Sequence, residues 1–187
     1  RQNWCISVDA MRSGLSSASL AGRIEILGRR PVVVLDVAHN VAAARALTRT
    51  LLSSFTAKRR TLVFAGTRDK DVLGMLRELT PHFQHVIVTQ YGEKQRAANV
   101  EEVATHCRRL LGQPPPGDSS RRPQLSLRRN PTEAWNLARQ TTAQDELICV
   151  TGSFFIAAEL RPVILADLLA PTTSADRRES MKADNSL

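Results

Sequence analysis

The run VVVLDVAHN, from Val32 to Asn40, climbs through apolar residues to an aspartate and then sets a His-Asn pair three residues on. Asp36 can accept hydrogen bonds, His39 can carry a proton near neutral pH, and Asn40 can both donate and accept. Two other apolar runs end in the same way. Thr67–Asp71 ("TRDKD") sets Lys70 between Asp69 and Asp71, and Thr151–Ser153 ("TGS") puts a serine before another apolar stretch. Each group also has a plain structural reading. Asp36 or Asn40 can cap a helix, and Ser153 can cap another after a tight turn. Asp69 and Asp71 can complement a helix dipole. His39 taken alone reads as a hydrogen-bonded structural residue. Singly, none of these signals is specific.

Groups of this kind do chemistry only if regular elements bring them together. A short strand is expected at Ile24–Leu27 and a strong one at Val32–Asp36. The spacing of Ala44, Leu47, Leu51 and Leu52 predicts a helix over Val41–Ser54. An apolar run at Leu62–Ala65 precedes a helix over Asp69–Thr80, with Val72, Leu73, Leu76 and Leu79 inward and Pro81 just past its end. His85–Thr89 reads as a strand, and Val100–Leu111 as a helix stopped by Gly112. Gln124–Leu127 reads as a short strand. Asn130 then caps a helix that has Pro131 in its first position. Leu147–Val150 is the last apolar run, and GSFFIAAEL opens the last helix. Trp135 reads as core, and the arginine pairs at 29–30, 59–60, 108–109, 121–122 and 128–129 as solvated surface.

Strand and helix alternate, which predicts an α/β, Rossmann-like fold: a mostly parallel sheet of about six strands with helices on both faces. Such sheets bind ligands outside the carboxyl ends of their strands. Asp36, Thr67–Asp71, Thr89–Tyr91 and Thr151–Ser153 all fall at that edge. Residues 1–20 read as the end of a helix and a serine-rich connection, and 21–170 as the domain. The stretch 113–123, proline-rich from Pro114 to Pro123, reads as a loop, and 171–187 as a disordered tail.

Composition narrows the function classes. Apolar residues make up 42% and charged residues 24%, an ordinary globular mix. The net charge of +8 suits nucleic acid, ATP or another small polyanion. With only 4% aromatic residues there are few platforms for stacking bases, so no nucleic-acid partner is expected. Cys5, Cys107 and Cys149 share no metal-ligand or disulfide spacing, which fits a reducing, cytoplasmic compartment and no metal site. No apolar run is long enough for a membrane span, so no membrane partner is expected. Neither GxGxxG nor GxxxxGK[ST] occurs, so the chain carries no dinucleotide fingerprint and no P-loop.

Order says more than any one motif. GRIEIL at 22–27, LDVAHN at 35–40, VFAGTRDKD at 63–71 and VTGSFFIAAEL at 150–160 together resemble the C-terminal domain of the folylpolyglutamate synthase/dihydrofolate synthase family, within the Mur ligase superfamily. The likeness covers about residues 1 to 165. Two departures are small: Ala21 stands for the family's proline before Gly-Arg, and Val41 for the proline after His-Asn. Residues 1–20 then resemble the end of the preceding central ATPase domain and its linker.

The resemblance implies an ATP-dependent ligase that adds L-glutamate to (tetrahydro)folate or dihydropteroate through an acyl phosphate. It implies ATP and Mg2+, with the P-loop and metal ligands in a central domain outside this sequence. This chain alone is therefore expected to be inactive. By the same likeness Arg23, Asp36 and Asn40 are ATP-binding. His39 and Lys70 are catalytic, Lys70 and Ser153 meet the glutamate carboxylate, and Asp69 and Asp71 support Lys70. The implied enzyme is a monomer whose domains pack on one another. Two alternatives stay open: a non-catalytic nucleotide- or folate-binding module, and a different Mur-type amino-acid ligase of cell-wall synthesis.

Overall fold

β-branched and aliphatic runs fall at regular intervals between capped helices, and the computed structural model folds them accordingly. It describes residues 5–17, 20–93, 95–112 and 123–170. The expected tail at 171–187 and the expected loop, apart from Pro123, lie outside them. The strands are β1 (Glu25–Arg29), β2 (Val32–Leu35), β3 (Arg60–Phe64), β4 (His85–Val88), β5 (Gln124–Leu127) and β6 (Leu147–Thr151). The helices are α1 (Val8–Ser17), α2 (Val41–Ser54), α3 (Val72–Leu79), α4 (Val100–Leu111), α5 (Pro131–Thr141) and α6 (Phe154–Leu169).

One six-stranded sheet has the order β1-β2-β6-β3-β4-β5. All pairs are parallel except β1 with β2. Register runs straight across it. Val34, Cys149, Leu62 and Val86 form one row, and Leu35, Val150, Val63 and Ile87 the next. Side chains alternate between faces along a strand. The first row therefore packs with Leu47 and Leu51 of α2, Leu76 and Leu79 of α3 and Cys107 of α4. The second packs with Trp135 and Ala138 of α5 and Ile156 and Leu160 of α6. Both faces are covered, which is why the central strands read as continuous apolar runs.

The structure departs from expectation in three places. β1 is the antiparallel exception, an edge hairpin with β2 whose register shifts between Ile26 and Gly28. α3 starts at Val72, not Asp69, because Asp71 is its N-cap and Thr67–Lys70 form a separate turn (Lys70 N–H to Thr67 O, 3.1 Å). Leu52, expected inward, is 47% exposed, and Met75 is buried in α3 where no core residue was expected. α2 and α4 take their expected bounds, and α5 its expected start at Pro131.

Candidate functional site

Parallel strands put their carboxyl ends on one edge, and the polar segments gather there. Asp36 follows β2 and is buried. Its Oδ2 accepts from the Ile24 N–H (2.9 Å) and its Oδ1 from the Ala38 N–H (2.8 Å). The Val37 N–H donates to Gly22 O at 2.8 Å. Asp36 thus staples the Gly22–Ile24 loop to the end of β2. That loop is tightly wound: Gly22 has φ +69° and Ile24 φ +47°. A Cβ on Gly22 would lie 2.7 Å from Val37 Cγ1, so glycine alone fits there.

Arg23 projects from this stapled loop. Glu25, two residues on, accepts from the Gly22 N–H (2.8 Å) and from Arg161 of α6 (Nη2 to Oε1, 2.7 Å). The Arg161 guanidinium holds the Glu25 carboxyl below its usual range against the opposing effect of burial. The loop, β1 and α6 are therefore tied at one point.

Asn40 is the N-cap of α2, its Oδ1 accepting from the Ala43 N–H at 2.9 Å. His39 Nδ1 lies 3.0 Å from Val37 O. A carbonyl only accepts, so Nδ1 carries the proton and Nε2 is left for a ligand. Ser153 caps α6 by accepting from the Ile156 N–H (3.2 Å), and only 1% of the residue is exposed. It thereby orients the first turn of α6.

That first turn presents two aromatic rings. Phe154 is 52% exposed. The Arg23 guanidinium lies 5.7 Å from its centroid and the His39 ring 5.1 Å away. Phe155 stacks on buried Tyr91 (5.0 Å, 18°), and the Arg96 guanidinium lies 5.6 Å from the Phe155 centroid.

Lys70 pairs with Asp69 at 3.0 Å, both at the surface. The hydrogen bond from Lys70 holds the Asp69 carboxyl below its ordinary range. Asp71 Oδ1 accepts from the Gly74 N–H (2.7 Å) and so fixes the start of α3. A cleft of about 390 Å³ joins these groups, with His39, Arg68, Lys70, Arg96, Phe154 and Phe155 on its walls. A second groove of about 510 Å³ runs between α3 and α4 and shares Arg68 and Lys70 with it.

Of the sequence-predicted residues, His39, Asp69 and Lys70 line one cleft, and Arg23 joins them through Phe154. Asp36, Asn40, Asp71 and Ser153 stand behind as staple and caps. Sequence reasoning missed Phe154, Phe155, Arg68 and Arg96. Two adjacent aromatics directly after a helix cap, in a chain with so few aromatics, were the signal available. Among the described residues no three His, Cys, Asp or Glu side chains converge as metal ligands. These residues do not fit a magnesium site.

A mostly parallel sheet covered by helices on both faces, with a cationic, aromatic-walled cleft at its carboxyl edge, defines an α/β domain of the doubly wound class. Residues 22–154 match the family model described as "Mur ligase, glutamate ligase domain", and the chain belongs to that family. It is 41% identical to a dihydrofolate synthase/folylpolyglutamate synthase of Mycobacterium tuberculosis over 96 residues, covering 51% of this chain and 20% of that one. It resembles Escherichia coli FolC in complex with DHPP and ADP (TM-score 0.74, 27% identity, 89% of this chain and 36% of that one). It also resembles a bifunctional folylpolyglutamate synthase/dihydrofolate synthase solved with Mn, AMPPNP and L-glutamate bound (TM-score 0.68, 27% identity, 86% of this chain and 36% of that one). The chain spans about a third or less of the length of the relatives it matches.

Proposed function

We propose that this chain is the C-terminal domain of an ATP-dependent ligase that joins L-glutamate to (tetrahydro)folate or dihydropteroate. In that reaction the pterin carboxylate takes the γ-phosphoryl group of ATP, and ADP is released. The glutamate amine then attacks the acyl phosphate carbonyl, and inorganic phosphate leaves as the amide forms. One observation carries this reading: Arg23, His39 and Lys70, three groups suited to anions, converge on the aromatic start of α6 within the segment the family spans.

Each residue takes a role that its geometry supports. Arg23 offers a planar fork to the phosphates of ATP. Asp36 acts through the loop it staples, holding Arg23 in place. His39 turns Nε2 toward the transferred phosphate, and Lys70, held by Asp69, meets the α-carboxylate of glutamate. Asn40, Asp71 and Ser153 fix the helix starts on which these groups stand.

Residues 21–170 form the domain, and 1–20 belong to the preceding part of the parent chain. Support for the latter is the apolar face of α1: Val8, Met11 and Leu15 are 57%, 46% and 77% exposed and suit burial against a neighbouring domain. The P-loop and the magnesium ligands lie in that neighbouring ATPase domain, and closure of the two domains keeps water from the acyl phosphate. The parent enzyme is a cytoplasmic monomer acting on small molecules. No helix among the described residues is long and apolar enough to cross a membrane.

The test is ADP release by the full parent protein with ATP and L-glutamate, supplied separately with tetrahydrofolate and dihydropteroate. At least one pterin supports turnover, and the present chain alone supports none. Turnover by the chain alone, or by the parent with neither pterin, overturns the reading.

A further inference from the structure

The loops after β3 and β4 are laced to each other by the backbone. The Arg68 N–H donates to Arg96 O (2.8 Å), and the Ala98 N–H donates to Gly66 O (3.0 Å). Thr67 and Ala97 form an isolated antiparallel bridge between these bonds. The Tyr91 hydroxyl, from beneath, donates to Thr67 Oγ1 at 3.2 Å. Two arginines nearly thirty residues apart in sequence are thereby set side by side, and both line the cleft that holds Lys70.

Charge in that cleft is unbalanced. Asp69 is its one acidic wall residue among the described ones, and Lys70 already neutralises it. Arg68 and Arg96 remain as surplus cations. The Arg96 guanidinium sits over Phe155, which in turn is stacked on Tyr91. Stacking fixes the plane of a guanidinium and leaves its edge N–H groups for a carboxylate. A buried aromatic support beneath an exposed arginine is a costly way to make a solvated surface, but an effective way to aim a fork.

We propose that Arg68 and Arg96 read the side-chain carboxylate of the incoming amino acid and make the domain selective for an acidic acceptor over its neutral amide. The inference deepens the ligase reading and rests on it: Lys70 takes one carboxylate of the amino acid, and the arginine pair takes the other. An amide in place of that second carboxylate would put N–H groups against guanidinium N–H groups. A site built around a charge-assisted pair rejects such an analogue strongly.

The test is a chemical-shift titration of the 187-residue chain with L-glutamate, L-glutamine and glutarate, repeated on R68Q, R96Q and R96K. L-Glutamate shifts the amides of 66–71 and 95–98 and binds about tenfold or more tightly than L-glutamine, as loss of a hydrogen bond to a charged group requires. Glutarate, with two carboxylates and no amine, shifts the same amides. R68Q and R96Q each lose most of the glutamate preference, and R96K, which keeps the charge without the planar fork, keeps part of it. Unchanged spectra elsewhere distinguish lost selectivity from lost folding. No saturable binding of L-glutamate, equal binding of the two amino acids, or an unchanged ratio in both glutamine variants overturns the proposal. Selective binding without pterin-dependent turnover in the parent removes the folate reading and leaves this assignment standing. Turnover with unselective binding does the reverse.

Discussion

Asp36 shows how much a single buried carboxylate can organise. Among the described residues its hydrogen bonds come from two backbone N–H groups, one just past its own strand end and one from a loop twelve residues earlier. Asp36→Asn would turn one acceptor oxygen into an NH2 facing an N–H in a site only 6% exposed. The expected cost is about 1.5–3 kcal/mol, the range for hydrogen bonds to charged groups. Urea denaturation of the variant should show a lower midpoint with an unchanged slope, and hydrogen exchange at Ile24 or Ala38 should accelerate. A wild-type midpoint would sink the staple. Residues of this kind were legible because a charge at the end of an apolar run breaks the pattern. Phe154 and Phe155 were passed over despite their adjacency, since a single aromatic after a helix cap reads as core. Arg68 and Arg96 were hidden among many arginines, and only the bridge between Thr67 and Ala97 singles them out.

Between elements, the turn joining β6 to α6 governs where the two phenylalanines stand. Gly152 has φ +119°, and a Cβ there would lie 2.6 Å from Ala65 O, a backbone atom that cannot swing aside. Gly112 also has positive φ, +67°, but among the described residues no atom beyond its chain neighbours lies within 4 Å of its would-be Cβ. The pair separates conformational strain from steric clash. Gly112→Ala should cost about 1–3 kcal/mol, the strain of a backbone conformation (φ 67°, ψ 179°) essentially confined to glycine. Gly152→Ala should cost about 2–6 kcal/mol, since the clash adds about 1–3 kcal/mol of overpacking to backbone strain of similar size. Urea midpoints of the two variants give the comparison, and equal losses would show that the β3–β6 contact yields freely. Helices were the most legible elements, because asparagine caps at 40 and 130 mark two starts and Gly112 one end. The start of α3 was misread because two aspartates flank Lys70, and only the Gly74 contact selects Asp71 as the cap. The antiparallel direction of β1 has no signature in its own residues. It is set by the hairpin and by the tie from Glu25 to Arg161, 136 residues away.

At the scale of the whole molecule, the two core layers lie on opposite faces of one sheet, and β6 supplies residues to both. Cys149 in β6 and Cys107 in α4 belong to the same layer, and neither is exposed. Burial pushes the Cys107 thiol up to about 12 and the Cys149 thiol higher still, so neither forms thiolate at neutral pH in the folded state. Cys5 is exposed. Alkylation with iodoacetamide at neutral pH should therefore label Cys5 at once and leave the other two unlabelled. In rising urea, Cys107 and Cys149 should become reactive over one shared interval, because removing either element opens the layer that buries both. Mass spectrometry after brief labelling pulses reads each site separately. If Cys107 reacts at a lower urea concentration than Cys149, then α4 detaches while the central strands persist. The helical layer over β4 would then be a separate unit of stability, and the cleft residues carried by the loops after β3 and β4 would ride on its less stable edge. If the two transitions coincide, the arginine pair, the aromatic start of α6 and the stapled loop of Arg23 are held by one cooperative core and should be lost together.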